Sequence, residues 1–258
     1  MHSTEEKLKA FERLLNIMDD LREKCPWDKE QTLESLRNLT IEETYELADA
    51  IMDHDMEEVR KELGDLMLHI VFYSKIGSEE GKFDVADVLN GICDKLVFRH
   101  PHVFGDTKVK GSGEVLENWE ELKMKEGNRS VLSGVPISLP AMIKSHRIQD
   151  KVRAVGFDWD HRDQVWDKVN EELNEVKYEL MNGQDKTKTE NEIGDLLFSI
   201  INAARLYDVE PETALERTNR KFIKRFKYLE QKSQEMGRSL KEMSLEEMEA
   251  IWEEAKSI

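Results

Sequence analysis

One acidic pattern occurs twice in this chain, in the same order and with nearly the same spacing. The first copy is Glu42-Glu43-Thr44-Tyr45-Glu46, followed by Glu62-Leu63-Gly64-Asp65. The second is Glu171-Glu172-Leu173-Asn174-Glu175, followed by Glu192-Ile193-Gly194-Asp195. Ordinary acidic surface keeps no such register. The repeat also extends outward: Trp27-Asp28 matches Phe157-Asp158, and the Lys95–Arg99 run KLVFR matches Lys221–Arg225, KFIKR. Each half therefore reads aromatic-Asp, EExxE, ExGD and KxxxR, and a duplicated domain is the simplest account.

The pattern rides on helical periodicity. Leu8, Phe11, Leu14, Leu15, Met18 and Leu21 form an i, i+3, i+4, i+7 stripe over residues 4–23. Further helices are expected from Thr40 to just before Asp53, from Met56 to Ile76, and from Val85 to Arg99, where Pro101 stops the last. A loop over 105–113 and a short helix over 115–126 follow. The stretch from Gly127 to Pro140, with Ser, Gly and two Pro, reads as a linker. Beyond it, helices are expected at 141–153, 162–182, 188–206, 211–235 and 244–257. Amphipathic helices need a mutual core, so the expected fold is all-α: tandem helical bundles at 1–126 and 141–258, joined by 127–140.

The formal net charge of −17 argues against nucleic acid or an anionic membrane as a partner, because like charges repel. It leaves room for a phosphorylated small molecule held by a metal and local cations. Cys25 and Cys93 form no CxxC pair, so neither a disulfide framework nor a zinc site is expected. The start of the chain lacks the basic and apolar blocks of a signal peptide, and no apolar run is long enough to span a bilayer. A cytoplasmic protein is expected.

On a helix, Glu42, Glu43 and Glu46 share a face, as do Glu171, Glu172 and Glu175; Glu62/Asp65 and Glu192/Asp195 are i, i+3 pairs. The pairs border the apolar runs Leu66-Met67-Leu68 and Leu196-Leu197-Phe198, where an unpaired charge is costly. Gly64 and Gly194 would let a neighbouring helix or a ligand come close. An all-carboxylate set favours Mg²⁺ or Mn²⁺. A di-iron bundle needs Glu-x-x-His, which is absent from the sequence. A solvated acidic face is the competing reading, and Thr40-Ile41-Glu42-Glu43 also fits a capping box. Val169 stands at the matching position of the second copy, so capping cannot explain Glu172.

These residues resemble the MazG nucleoside triphosphate pyrophosphohydrolases, within the all-α NTP pyrophosphatase superfamily. The tandem EExxE plus ExxD carries the resemblance, with Cys25-Pro26-Trp27-Asp28-Lys29-Glu30-Gln31-Thr32, Arg99-His100-Pro101-His102-Val103-Phe104 and Val155-Gly156-Phe157-Asp158-Trp159. It covers essentially the whole chain. It implies hydrolysis of NTP to NMP and pyrophosphate, with Mg²⁺, in a homodimer. By that resemblance Glu172, Glu175, Glu192 and Asp195 would bind the metal. Glu171 and Glu172 would be the catalytic carboxylates, Glu171 as an outer ligand or the base that orients water. Lys168, Lys221, Lys224 and Arg225 would meet the triphosphate, Trp252 the nucleotide, and Lys123 would reach in from before the linker.

The copies differ in their cations. Leu39 stands where the second half has Lys168, and the first KxxxR runs straight into His100-Pro101. The main site is therefore expected in the second half. Glu42, Glu43, Glu46, Glu62 and Asp65 remain as a second metal site. Two other readings compete: a non-enzymatic helical module for dimerisation or regulation, and an HD-type phosphohydrolase built on His54-Asp55.

Overall fold

A computed structural model describes the chain except for residues 112, 116–117, 120–121, 123–129, 184 and 258. Among the described residues there are helices and turns but no strand. Contacts divide the chain into two units, Met1–Val109 and Lys110–Ile258. The expected helix over 115–126 falls on a stretch of which most residues, Lys123 among them, lie outside those described.

The first unit holds α1 (Thr4–Lys24), α2 (Pro26–Glu30), α3 (Leu33–Met52), α4 (Met56–Glu79), α5 (Val85–Arg99) and α6 (Pro101–Phe104). A capping box between Ser3 and Glu6 opens α1, and Pro26 sits in the first turn of α2, where its missing N–H costs nothing. Its core is Met18 from α1, Leu36 from α3, and Val71, Phe72 and Ile76 from α4. Each large side chain buried there stabilises the unit by about 1.5–3 kcal/mol before entropy is counted.

The start of α3 corrects the expectation at Thr40. Thr32 and Ser35 form the capping box, so the helix begins at Leu33 and Thr40 lies inside it. Thr40 Oγ1 donates to the Leu36 carbonyl at 3.0 Å and lies 2.8 Å from His69 Nδ1 and 2.6 Å from the Tyr73 hydroxyl. A cap role for Glu43 disappears with the cap. The His54-Asp55 pair is the turn between α3 and α4. His54 takes a left-handed backbone (φ 57°), and Asp55 Oδ1 accepts the N–H groups of Glu57 and Glu58.

The second unit holds α7 (Ala141–Arg153), a 3₁₀ turn (Arg162–Gln164), α8 (Val165–Asn182), α9 (Lys186–Leu206), α10 (Pro211–Glu235) and α11 (Leu245–Glu254). Gly156, at φ 83°, reverses the chain after α7, and the Phe157 N–H returns to the Val152 carbonyl at 3.0 Å. The helix α9 packs on α8 and α7, and α10 packs on α7 and α11. Leu229, Met243 and Ile251 form a small core between α10 and α11. In both units the EExxE helix and the ExGD helix are neighbours joined by a short connection, which sets the two halves of the acidic pattern face to face.

Candidate active site

In the second unit Glu172 of α8 meets Glu192 and Asp195 of α9, with one carboxylate oxygen from each inside 4.8 Å of the others. Glu172 is buried, yet Lys168 one turn earlier clasps it at 2.7 Å and reaches Glu171 at 2.9 Å. The hydrogen bonds to Glu172 and then Glu171 hold the Lys168 ammonium far above its ordinary pKa, so it stays charged. Glu175 lies outside the tight trio but feels it. Desolvation, and then the charges of Glu172, Glu192 and Glu171, push its carboxyl up. Glu171 is exposed at the edge of the cluster.

The first unit repeats the trio with Glu43, Glu62 and Asp65. No lysine closes it, because Leu39 stands in the place of Lys168. Burial raises the pKa of both Glu43 and Glu62, with Asp65 and Glu46 adding like charge to Glu43 and Glu46 adding it to Glu62. Glu62 is 5% exposed, and its Oε2 has no hydrogen-bond partner among the described residues. Glu46 and Glu42 are exposed on α3, outside the trio. A Cβ at Gly64 or Gly194 would meet nothing within 4 Å among the described residues, so the space beside the acids is open there.

Both trios suit a hard divalent ion. The donors are all carboxylate oxygens and partly desolvated, and in the first unit one buried oxygen has no hydrogen-bond partner among the described residues. Neither trio contains the nitrogen or sulfur ligands that zinc or copper prefers.

What separates the units is the space next to the acids. The second unit has a cavity of about 640 Å³ bordered by Lys168, Glu172 and Asp195, with Phe157, Trp159 and Phe198 among its walls. The matching face of the first unit is filled. His69, Phe72 and Tyr73 of α4 occupy the positions of Ser199, Asn202 and Ala203 on α9, and Phe72 is buried in the core. A smaller cavity of about 200 Å³ in the first unit is not bordered by Glu43, Glu62 or Asp65. The cavity wall is braced by Arg205, which donates to Asp158 Oδ2 at 3.0 Å and to Asn202 Oδ1 at 2.9 and 3.1 Å. Burial opposes ionisation of Asp158, but hydrogen bonds from Arg205 and from the Trp159 N–H outweigh it and keep the carboxyl below its ordinary range.

The expected phosphate cations Lys221, Lys224 and Arg225 lie on α10, and Trp252 on α11. None of the four borders the cavity. Trp252 packs its ring 4.9 Å from Phe222 and lies under the Arg225 guanidinium at 5.9 Å. Gln149, Ser199, Asn202 and Arg205 escaped the sequence reading. The signal for two of them was present, as the exchange of large α4 side chains for small or polar ones at the same register.

Fold and site thus define an all-α protein with duplicated acidic metal-type clusters, one of which opens on a ligand-sized cavity. The MazG nucleotide pyrophosphohydrolase domain model matches residues 31–104 and again 162–229. A nucleoside triphosphate pyrophosphohydrolase of Escherichia coli K12 is 43% identical over 257 residues, covering 96% of this chain and 98% of that protein. A nucleoside triphosphate pyrophosphohydrolase/pyrophosphatase MazG of Thermotoga maritima is 41% identical over 95% of each chain. The uncharacterized protein YabN of Bacillus subtilis is 44% identical over 98% of this chain and 53% of its own length. The chain belongs to the MazG nucleotide pyrophosphohydrolase family, and it is a hydrolase.

Proposed function

We propose that this enzyme hydrolyses nucleoside triphosphates to the monophosphate and pyrophosphate, with Mg²⁺ or Mn²⁺, at the site in residues 141–258. One observation carries the reading: the convergence of Glu172, Glu192 and Asp195, of which Glu172 and Asp195 border a cavity, with a charged lysine beside them. Glu172, Glu175, Glu192 and Asp195 would hold the ion. When bound, it supplies charge neutralisation on the leaving pyrophosphate and a water made acidic enough to attack the α-phosphorus. Glu171, exposed beside the trio, would orient that water. Lys168, paired with Glu172 at 2.7 Å, would offer a permanent charge to the triphosphate, as Lys221, Lys224 and Arg225 would from α10. A role for Lys123 rests on the family resemblance alone.

Glu43, Glu62 and Asp65 are the second metal site in this reading, with Glu42 and Glu46 beside it. It binds an ion without turning over substrate, because Leu39 replaces the lysine and His69, Phe72 and Tyr73 fill the ligand space.

A homodimer is supported by apolar stripes that the chain leaves exposed. Leu63, Met67 and Ile70 on α4 match Ile193, Leu197 and Ile200 on α9, position for position, and all six are exposed. Solvated stripes of this kind ordinarily face another helix. Among the described residues no helix is long and apolar enough to cross a membrane. The acidic balance disfavours nucleic acid and fits a cytoplasmic nucleotide enzyme.

The test is a panel of nucleoside triphosphates with Mg²⁺, Mn²⁺ or EDTA and product identification. Pyrophosphate and monophosphate are expected with either metal and neither with EDTA. Orthophosphate as the first product would overturn the reaction, and no release under any metal would favour the non-enzymatic module.

A further inference from the structure

We propose that the cavity of the second unit seats the nucleobase of the substrate, and that Gln149 reads it through a base N–H group. The inference rests on the pyrophosphohydrolase reading and goes beyond it by assigning the base an address and a recognition group.

Three observations converge. The first is position: the cavity shares Lys168, Glu172 and Asp195 with the acid cluster, so one molecule can reach both. The second is shape. Its walls include the aromatic rings of Phe157, Trp159 and Phe198 and the aliphatic Val152, which suit a flat heterocycle. At that register Ser199, Asn202 and Ala203 stand where the first unit has the larger His69, Phe72 and Tyr73, with Phe72 buried in that unit's core. A duplicated domain that needed only a core would have no reason to hollow out one copy beside its acids.

The third is an unmet acceptor. Gln149 of α7 is 3% exposed and borders the cavity. Its Nε2 donates to the Phe198 carbonyl at 2.9 Å, which fixes the amide so that Oε1 is the other end. That oxygen is buried and has no hydrogen-bond partner among the described residues. A buried acceptor left bare is costly, and such sites reject ligands that cannot supply the missing bond. Asn202 also borders the cavity. Its Oδ1 is taken by two Arg205 N–H groups, leaving the amide N–H₂ as the group it offers. An acceptor and a donor lining one cavity complement an exocyclic amine and a ring nitrogen, groups that adenine and cytosine both present.

The proposal separates from simple apolar packing through a matched substrate pair. ATP and purine riboside triphosphate differ by the exocyclic amine. The wild-type enzyme is expected to favour ATP in kcat/KM by about tenfold, the worth of one buried hydrogen bond. Gln149→Met keeps the volume but removes the acceptor, and Gln149→Leu does so with a different shape. Both are expected to bring the two substrates within about twofold, with the loss on ATP falling in KM. Wild-type indifference to the amine, or an unchanged ATP preference in both variants, overturns the base-reading role while pyrophosphate release continues. No pyrophosphate from either substrate, with Mg²⁺ present, overturns the function reading and this inference together.

Discussion

Glu172 and Glu43 occupy the same register of the repeat, yet the residue one turn before each differs. Lys168 neutralises Glu172 at 2.7 Å, whereas Glu43, which faces Glu62 and Asp65, has Leu39 in place of that lysine. In the proposed reaction only the first arrangement can hold a triphosphate, since ion and lysine together offset its charge. Glu172→Gln is expected to lower pyrophosphate release by about 10²–10³-fold, the scale on which a preorganised electrostatic group is missed. Glu43→Gln is expected to leave most of the activity. Steady-state release with Mg²⁺ checks both, and equal sensitivity of the two would refute the assignment of the working site. Lys168→Leu rebuilds the first unit's arrangement in the second, so it should lose turnover while retaining Mn²⁺ binding measured by calorimetry. The acids themselves were legible in the sequence because a repeated i, i+3, i+4 pattern survives without any knowledge of tertiary packing. Gln149 was not, because its significance depends on which of its two amide ends finds the Phe198 carbonyl.

At the scale of elements, α5 keeps the expected 85–99 before Pro101 and α10 the expected 211–235, whereas α4 runs through Gly77 to Glu79, past its expected end at Ile76. The start of α3 did not follow, since Thr40 and Thr32 both offer cap chemistry and only tertiary contact with His69 and Tyr73 decides between them. The single-turn α2 is too short to show periodicity. Arg205 of α9, almost fully buried, ties that helix to the loop after α7 through Asp158. Asp158→Asn would strip a buried guanidinium of its counter-charge while leaving its bonds to Asn202. A destabilisation of about 2–3 kcal/mol is expected in urea unfolding, less than the full cost of an orphaned buried charge. At α11, Ser244 and Glu247 form a capping box, and Arg238 donates to Glu247. The Arg238 bond, followed by the Ser244 N–H, pulls the Glu247 carboxyl down to about 2. A depressed acid stabilises the folded state above its ordinary pKa and loses that contribution as pH falls toward 2. The protection factors of the α11 amides, taken against intrinsic exchange at each pH, should therefore fall between pH 5 and about 2.5 in the wild type. Glu247→Gln should already show lower protection at pH 5 and lose little more on acidification.

For the whole molecule, duplication has produced two units of one family fold with different interiors, one packed with Phe72 and His69 and one opened beside its acids. The outer faces did not diverge in the same way. Leu63, Met67 and Ile70 on α4 and Ile193, Leu197 and Ile200 on α9 keep apolar side chains at equivalent exposed positions. A face retained in both copies, although only one has a ligand cavity, points to a shared packing role rather than to substrate. Three large aliphatic side chains on one helix represent several kcal/mol of hydrophobic gain when covered, at about 1.5–3 kcal/mol for each one fully buried. A second copy of the chain offers the same stripe, and a two-fold axis pairs such a surface with itself. Light scattering on the eluted full chain is expected to give twice the chain mass at micromolar concentration. Leu197→Asp should weaken that dimer and Leu63→Asp with Leu197→Asp should abolish it, each charge facing its symmetry mate in a dry interface. Circular dichroism separates this outcome from unfolding, since both residues lie on exposed faces and the helical signal should persist in the monomer. A wild-type chain that elutes as a monomer, or a double variant that stays dimeric, would rule out these stripes as the interface.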